Sequence, residues 1–103
     1  MIRQLHSNER IPYDLLLLGD ETMEAINKYI NVSEIYILEQ DDKTIAIYVL
    51  QITDNDTIEI KNIAVDIKHQ GQGIGKLLLR DATDRAKAKG FKRINKIKFL
   101  FYL

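Results

Sequence analysis

The residues best suited to chemistry are Gln70-Gly71-Gln72-Gly73-Ile74-Gly75-Lys76, where three glycines alternate between an apolar run ending at Val65 and a helical pattern beginning at Ile74. Glycines at a helix start leave a bare, curved main chain. Its N–H groups can converge on an anion, aided by the positive end of the helix dipole. The predicted chemistry is phosphate binding. Spacing excludes two nucleotide loops. The dinucleotide fingerprint G-x-G-x-x-G would require glycine where Lys76 stands. The P-loop G-x-x-x-x-G-K-[ST] would require glycine in place of Gln70 and a hydroxyl in place of Leu77. Taken alone, such a turn can also be a plain tight connection. The strand pattern before it, the helix pattern after it and the Gln-x-x-Gly-x-Gly phase favour a ligand loop.

Two elements must position that loop. Upstream, Thr57 to Ile67 reads as a strand whose apolar residues begin on even positions, Ile58 and Ile60, and continue on odd ones, Ile63, Val65 and Ile67. Strand side chains alternate strictly, so the parity flip predicts one extra residue near Lys61 and Asn62, a β-bulge. A strand buried on both faces would erase the same parity without a bulge. Downstream, Gly73 to Lys89 predicts a helix with Ile74, Leu77, Leu78, Ala82 and Ala86 on its apolar face. Arg80 with Asp84 and Asp81 with Arg85 would form ion pairs outside, and Gly90 followed by Phe91 would end the helix.

Earlier in the chain, Met1 to Leu5 suggests an edge strand with Ile2 inward. Pro12 suits the first turn of a short helix through Leu18, closed by Gly19, and Asp20 is then an N-cap before Met23, Ile26 and Ile30. Glu34 to Gln40 and Lys43 to Thr53 form a hairpin about Asp41-Asp42; apolar residues of both parities in its second strand place that strand inside the sheet. A parallel strand is expected after the long helix, within Lys92 to Tyr102.

From about residue 33 to 91 the chain resembles the GNAT superfamily of acyl-CoA-dependent N-acetyltransferases. The likeness rests on Gln70-x-x-Gly73-x-Gly75, on Ile58 to Val65 before it and on the helix after it. The resemblance implies an α/β (α+β) fold: a mixed, mostly antiparallel central sheet with helices on both faces, in the order β-α-α-β-β-β-α-β. It also implies acetyl-CoA as co-substrate and transfer of the acetyl group to a primary amine by direct attack in a ternary complex; no metal is expected, because no His, Asp or Glu cluster has metal spacing. Gln70, Gly71, Gln72, Gly73, Ile74, Gly75 and Lys76 would hold the pyrophosphate, while Ile63, Ala64 and Val65 at the bulge would pair with pantetheine and polarise the thioester carbonyl. Glu59, four residues before Ile63, stands where some histone-type members place a general base; it reads equally as a surface strand residue opposite a lysine. Tyr102 lacks the family's helical context for a thiolate-protonating acid, and His69 reads as exposed beside the loop.

After Arg93 the likeness stops. Residues 94–103 use only Ile, Asn, Lys, Phe, Leu and Tyr, the amino acids that codons made of A and T alone specify. The expectation is a single domain, 1–103, truncated after about residue 94 by loss of the natural reading frame and lacking the family's last helix and strands. A compact family member is the alternative. A truncated chain suggests an acetyl-CoA-binding module without catalysis, or a homodimer through an exposed C-terminal sheet edge carrying Phe99 and Phe101.

Bulk composition agrees with one globular domain: 46% hydrophobic and 29% charged residues, with no cysteine for disulfides, thiolate metal sites or a thiol nucleophile. No run is long enough for a membrane span and no signal peptide stands at the N-terminus, so a cytoplasmic location is the default. Charge is zero overall but uneven, since Arg85 to Leu103 holds seven basic residues and no acid. Without aromatic interleaving or a reading motif, that end predicts a solvated helix face rather than a nucleic-acid surface.

Overall fold

The computed structural model describes residues 1–96, which form a five-stranded sheet in the order β1-β2-β3-β4-β5, with helices on both faces. The strands are β1 (Ile2–Gln4), β2 (Glu34–Gln40), β3 (Lys43–Ile52), β4 (Thr57–Val65) and β5 (Arg93–Asn95); the helices are α1 (Tyr13–Gly19), α2 (Met23–Asn27) and α3 (Ile74–Ala88). The expected element order and mostly antiparallel sheet are both present, with β4 and β5 the parallel pair. The expectations resting on Phe99, Phe101 and Tyr102 lie outside the described residues.

Alternation divides the apolar residues between two cores. Tyr36, Leu38, Ala46, Tyr48, Ile58 and Ile60 pack on one face beneath Leu78, Ala82 and Ala86 of α3. Ile35, Ile37, Ile47, Val49 and Ala64 pack on the other against Leu15, Leu16 and Ile26. Covered on both sides, β3 is buried from Ile45 to Leu50, as its double parity predicts. At the β2–β3 turn Asp41 and Asp42 both take positive φ, 52° and 63°, the geometry that matches the twist of a two-residue hairpin.

Several local expectations are corrected. Strand β4 ends at Val65, not Ile67: the Asp66 N–H donates to Ile45 O at 2.7 Å, and Ile67–His69 coil into a 3₁₀ turn. Pro12 is the residue before α1, and its carbonyl accepts the Leu15 and Leu16 N–H groups. Gly19 does not close α1 from outside but is its last helical residue. Thr22, not Asp20, caps α2, because its hydroxyl accepts the Ala25 N–H at 3.1 Å, while Asp20 accepts from the Tyr29 hydroxyl.

Leu77 is 49% exposed rather than part of the apolar face of α3. Each four-residue step carries the stripe about 40° from Leu78 toward Ala86, whereas Leu77 lies about 100° round in the opposite direction. Arg85 pairs with Asp81 at 2.8 Å, but Arg80 and Asp84 form no ion pair among the described contacts. Past Lys89 the chain leaves α3 as expected. The Phe91 N–H reaches Ala86 O and the Gly90 N–H reaches Lys87 O, both at 3.0 Å, a Schellman closure that brings Phe91 onto the core.

Candidate functional site

A single strand-turn-helix unit carries most of the predicted site. Opposite β3, Val49 pairs with Asn62 but Leu50 pairs with Ile60, so Lys61 is the extra residue. The parity flip thus reports a true bulge. It turns Ile63 and Val65 onto the α3 face and sends Asn62 and Ala64 to the α1 face. On its other edge β4 has, among the described residues, a neighbour only at Thr57, Ile58 and Glu59, through Arg93, Ile94 and Asn95 of β5. From the bulge onward, through Ile63, Ala64 and Val65, that edge has no strand partner among the described residues.

The loop follows directly. Gln70 is extended and its side-chain amide donates to Val65 O at 3.0 Å, tying the loop entrance to the end of β4. Gly71 and Gly73 then take φ of 80° and 83°, left-handed values that a side chain resists. Gly73 is the N-cap of α3, and its carbonyl accepts the first helical bond, from Leu77 N. Across Gly71, Gln72, Gly73, Ile74, Gly75 and Lys76, no main-chain N–H has an acceptor among the described contacts. A Cβ on Gly71 or Gly73 would meet nothing within 4 Å, so the concave side is open. Free donors at the positive end of a fifteen-residue helix make a cradle that fits a pyrophosphate. His69 lies at its entrance with Nδ1 3.1 Å from Asp66 Oδ2.

Glu59 stands before the bulge, half-buried, with Oε2 3.1 Å from Lys61 Nζ. The expected lysine partner is therefore on the same strand, not opposite. Lys61 Nζ also lies 5.6 Å from the centroid of the Tyr29 ring.

Asn62 is the residue that sequence reasoning missed. It is fully buried; its amide donates to Leu16 O and to the Tyr29 hydroxyl, both at 2.9 Å, while Oδ1 has no partner. Leu16 O is one of the carbonyls a helix leaves open at its C-terminus, so Asn62 caps α1 from another element. The Tyr29 hydroxyl passes the network to Asp20 at 3.1 Å, and burial, first among its causes, pushes its pKa up to about 12. A polar residue amid Ile58, Ile60, Ile63 and Val65 was the available signal, since a buried amide must find partners. Gly19 was missed for the same reason: a Cβ there would collide with Asn62 Oδ1 and come within 2.9 Å of Ile63 O.

Among the described residues no group of three His, Cys, Asp or Glu side chains is arranged to hold a metal ion, and no helix is long and apolar enough to cross a membrane.

A bulged strand running into an open glycine turn at a helix start offers main-chain donors of the kind an extended, phosphate-bearing ligand would need. Comparison with known proteins places the chain. The model of the acetyltransferase (GNAT) family matches residues 3–99, and the chain belongs to that family. It is 41% identical over 78 residues to YvbK of Bacillus subtilis strain 168, described as an uncharacterized N-acetyltransferase, covering 76% of this chain and 50% of that protein. A GNAT family acetyltransferase from Elizabethkingia anophelis, solved with acetyl-CoA bound, superposes with a TM-score of 0.88 at 44% identity, over 91% of this chain and 61% of that one. An IAA acetyltransferase from Bacillus cereus superposes with a TM-score of 0.82 at 42% identity, over 88% and 60%. The chain thus spans about half the length of its curated relative and about three fifths of these solved ones.

Proposed function

We propose that this chain binds acetyl-CoA and passes the acetyl group to a primary amine by direct attack in a ternary complex, acting as one unit in the cytoplasm. The observation that carries the reading is the run of N–H groups from Gly71 to Lys76 that have no partner among the described residues, continuous with the edge of β4 at Ile63, Ala64 and Val65 that has no described strand partner. The first segment suits the pyrophosphate. The second offers main-chain pairing to the amides of pantetheine, and an N–H there would stabilise the oxyanion, a role worth about 3 kcal/mol. Glu59 is the base in this reading, half-exposed and on the same strand. The solved relative with acetyl-CoA bound, at 44% identity, supports the choice of ligand.

Because the chain covers about half of its curated relative, a second reading keeps binding without turnover. Calorimetric titration with acetyl-CoA, followed by an assay of CoA release against a panel of small amines and amine-bearing peptides, separates the two. Binding with release supports transfer, binding without release for any acceptor supports the silent module, and absence of binding at millimolar acetyl-CoA refutes both. Self-association through the outer edge of β5 is part of the same proposal, and a monomer by sedimentation at high concentration would reject it.

A further inference from the structure

An amine already stands beside the candidate base. Lys61 is the extra residue of the bulge, and its Nζ lies 3.1 Å from Glu59 Oε2. Both side chains are partly exposed, at 28% and 32%, so the pair is open to a ligand approaching from solvent. Nζ also lies over the Tyr29 ring, 5.6 Å from its centroid. Other lysines of the described chain, such as Lys43, Lys68, Lys76 and Lys87, are exposed, and none of these four has a carboxylate within ion-pair distance. Among the described lysines, Lys61 alone joins a nucleophilic nitrogen, an adjacent proton acceptor and a place two residues from the main chain assigned to the thioester.

We propose that Lys61 is an internal acceptor and that the protein acetylates itself there. The inference rests on the acetyl-CoA reading above. In the step, the Lys61 ammonium gives one proton to the Glu59 carboxylate, and the freed amine attacks the thioester carbonyl. The new Nζ–C bond forms, the C–S bond breaks, and the second nitrogen proton leaves with the thiolate as CoA; Glu59 returns its proton to water. The product amide carries no charge, so both the ion pair with Glu59 and the cation–π contact with Tyr29 are lost. Self-acetylation would thereby release the base for an external amine.

The test incubates the full chain with acetyl-CoA and follows a gain of one acetyl group on each lysine by peptide mass spectrometry, with acetyl-CoA binding measured by calorimetry on the same sample. Lys61 is expected to react about a hundredfold faster than Lys43 or Lys87, with excess CoA suppressing the difference. Glu59→Gln, checked for folding by circular dichroism, should remove most of that advantage, and Lys61→Arg should remove the fast modification altogether. Binding of acetyl-CoA with Lys61 reacting no faster than exposed lysines overturns the inference and leaves the proposed function standing. No binding overturns both. Fast Lys61 modification that persists in the Glu59→Gln variant removes the base from the step and overturns the proton transfer to Glu59.

Discussion

Replacing Gly19 by alanine tests the link between α1 and the bulge. Helix propensity alone makes this substitution stabilising, by up to about 1 kcal/mol and less at a last helical residue. Packing predicts the opposite sign. The added Cβ would overlap Asn62 Oδ1 and stand 2.9 Å from Ile63 O. Neither atom has an easy retreat, because Asn62 is fully buried with two hydrogen bonds of 2.9 Å, and Ile63 is paired with Tyr48 in the sheet. Withdrawing Asn62 costs about 1 kcal/mol for each bond broken, and overpacking a tight contact costs about 1–3 kcal/mol. The net expectation is a loss of about 2 kcal/mol, a fall of about 1–2 M in the urea midpoint for a chain of this size. With Asn62→Ala added, the double variant should be more stable than the sum of the two single effects predicts by about 1 kcal/mol. Urea unfolding followed by circular dichroism reads all four proteins. A Gly19→Ala midpoint equal to or above that of the parent would refute the packing argument.

Further predictions concern the loop and the ionisable groups. Gly73→Ala meets no neighbour within 4 Å but must hold φ near 83°, so it should lose about 1 kcal/mol of stability and bind acetyl-CoA about tenfold more weakly; calorimetry showing unchanged affinity would contradict the assigned cradle. The Arg3 guanidinium, 2.8 Å away, holds the Glu9 carboxyl down at about 2 from 4.5. Its folded pKa is depressed, so its contribution is present above pH 4.5 and fades as pH falls toward 2; Glu9→Gln should flatten that acid limb in unfolding curves. Burial raises Tyr29 and Tyr36 to about 12 from 10, so the unfolded chain ionises first and stability should decline from pH 10 toward 12. Urea midpoints that do not fall across that range would reject the burial of these hydroxyls.

What could be read from the sequence was local in origin. The bulge showed itself as a change of parity between Ile60 and Ile63, because alternation is a property of the strand itself. The cradle showed itself in glycine spacing, and the end of α3 in Gly90 and Phe91. What escaped was set by distant partners. Asn62 meets Leu16 and Tyr29 across separations of 46 and 33 residues, and no window of sequence contains both ends. Gly19 was read by its usual helix-closing habit, whereas its reason is the approach of β4. The cap of α2 slipped from Asp20 to Thr22 because Asp20 is held by Tyr29, nine residues on. Glu59 was singled out by position alone, and its lysine partner was expected on the wrong strand, since the bulge places Lys61 beside it rather than across from it.

The order of the strands in space repeats their order in the chain. Among the described strands, each from β2 onward therefore finds a neighbour among residues already made when it emerges from the ribosome. The cradle comes late in this succession, after β4 and before α3 and β5. Thr57 to Val65 can pair with β3 before α3 has emerged, and α3 then settles on a face whose apolar side chains are already in register. Assembly in the direction of synthesis would make the glycine loop and α3 a late step of folding, followed among the described elements by the docking of β5. Acetyl-CoA supplied to a translating ribosome should then protect the chain from protease only once α3 has cleared the exit tunnel.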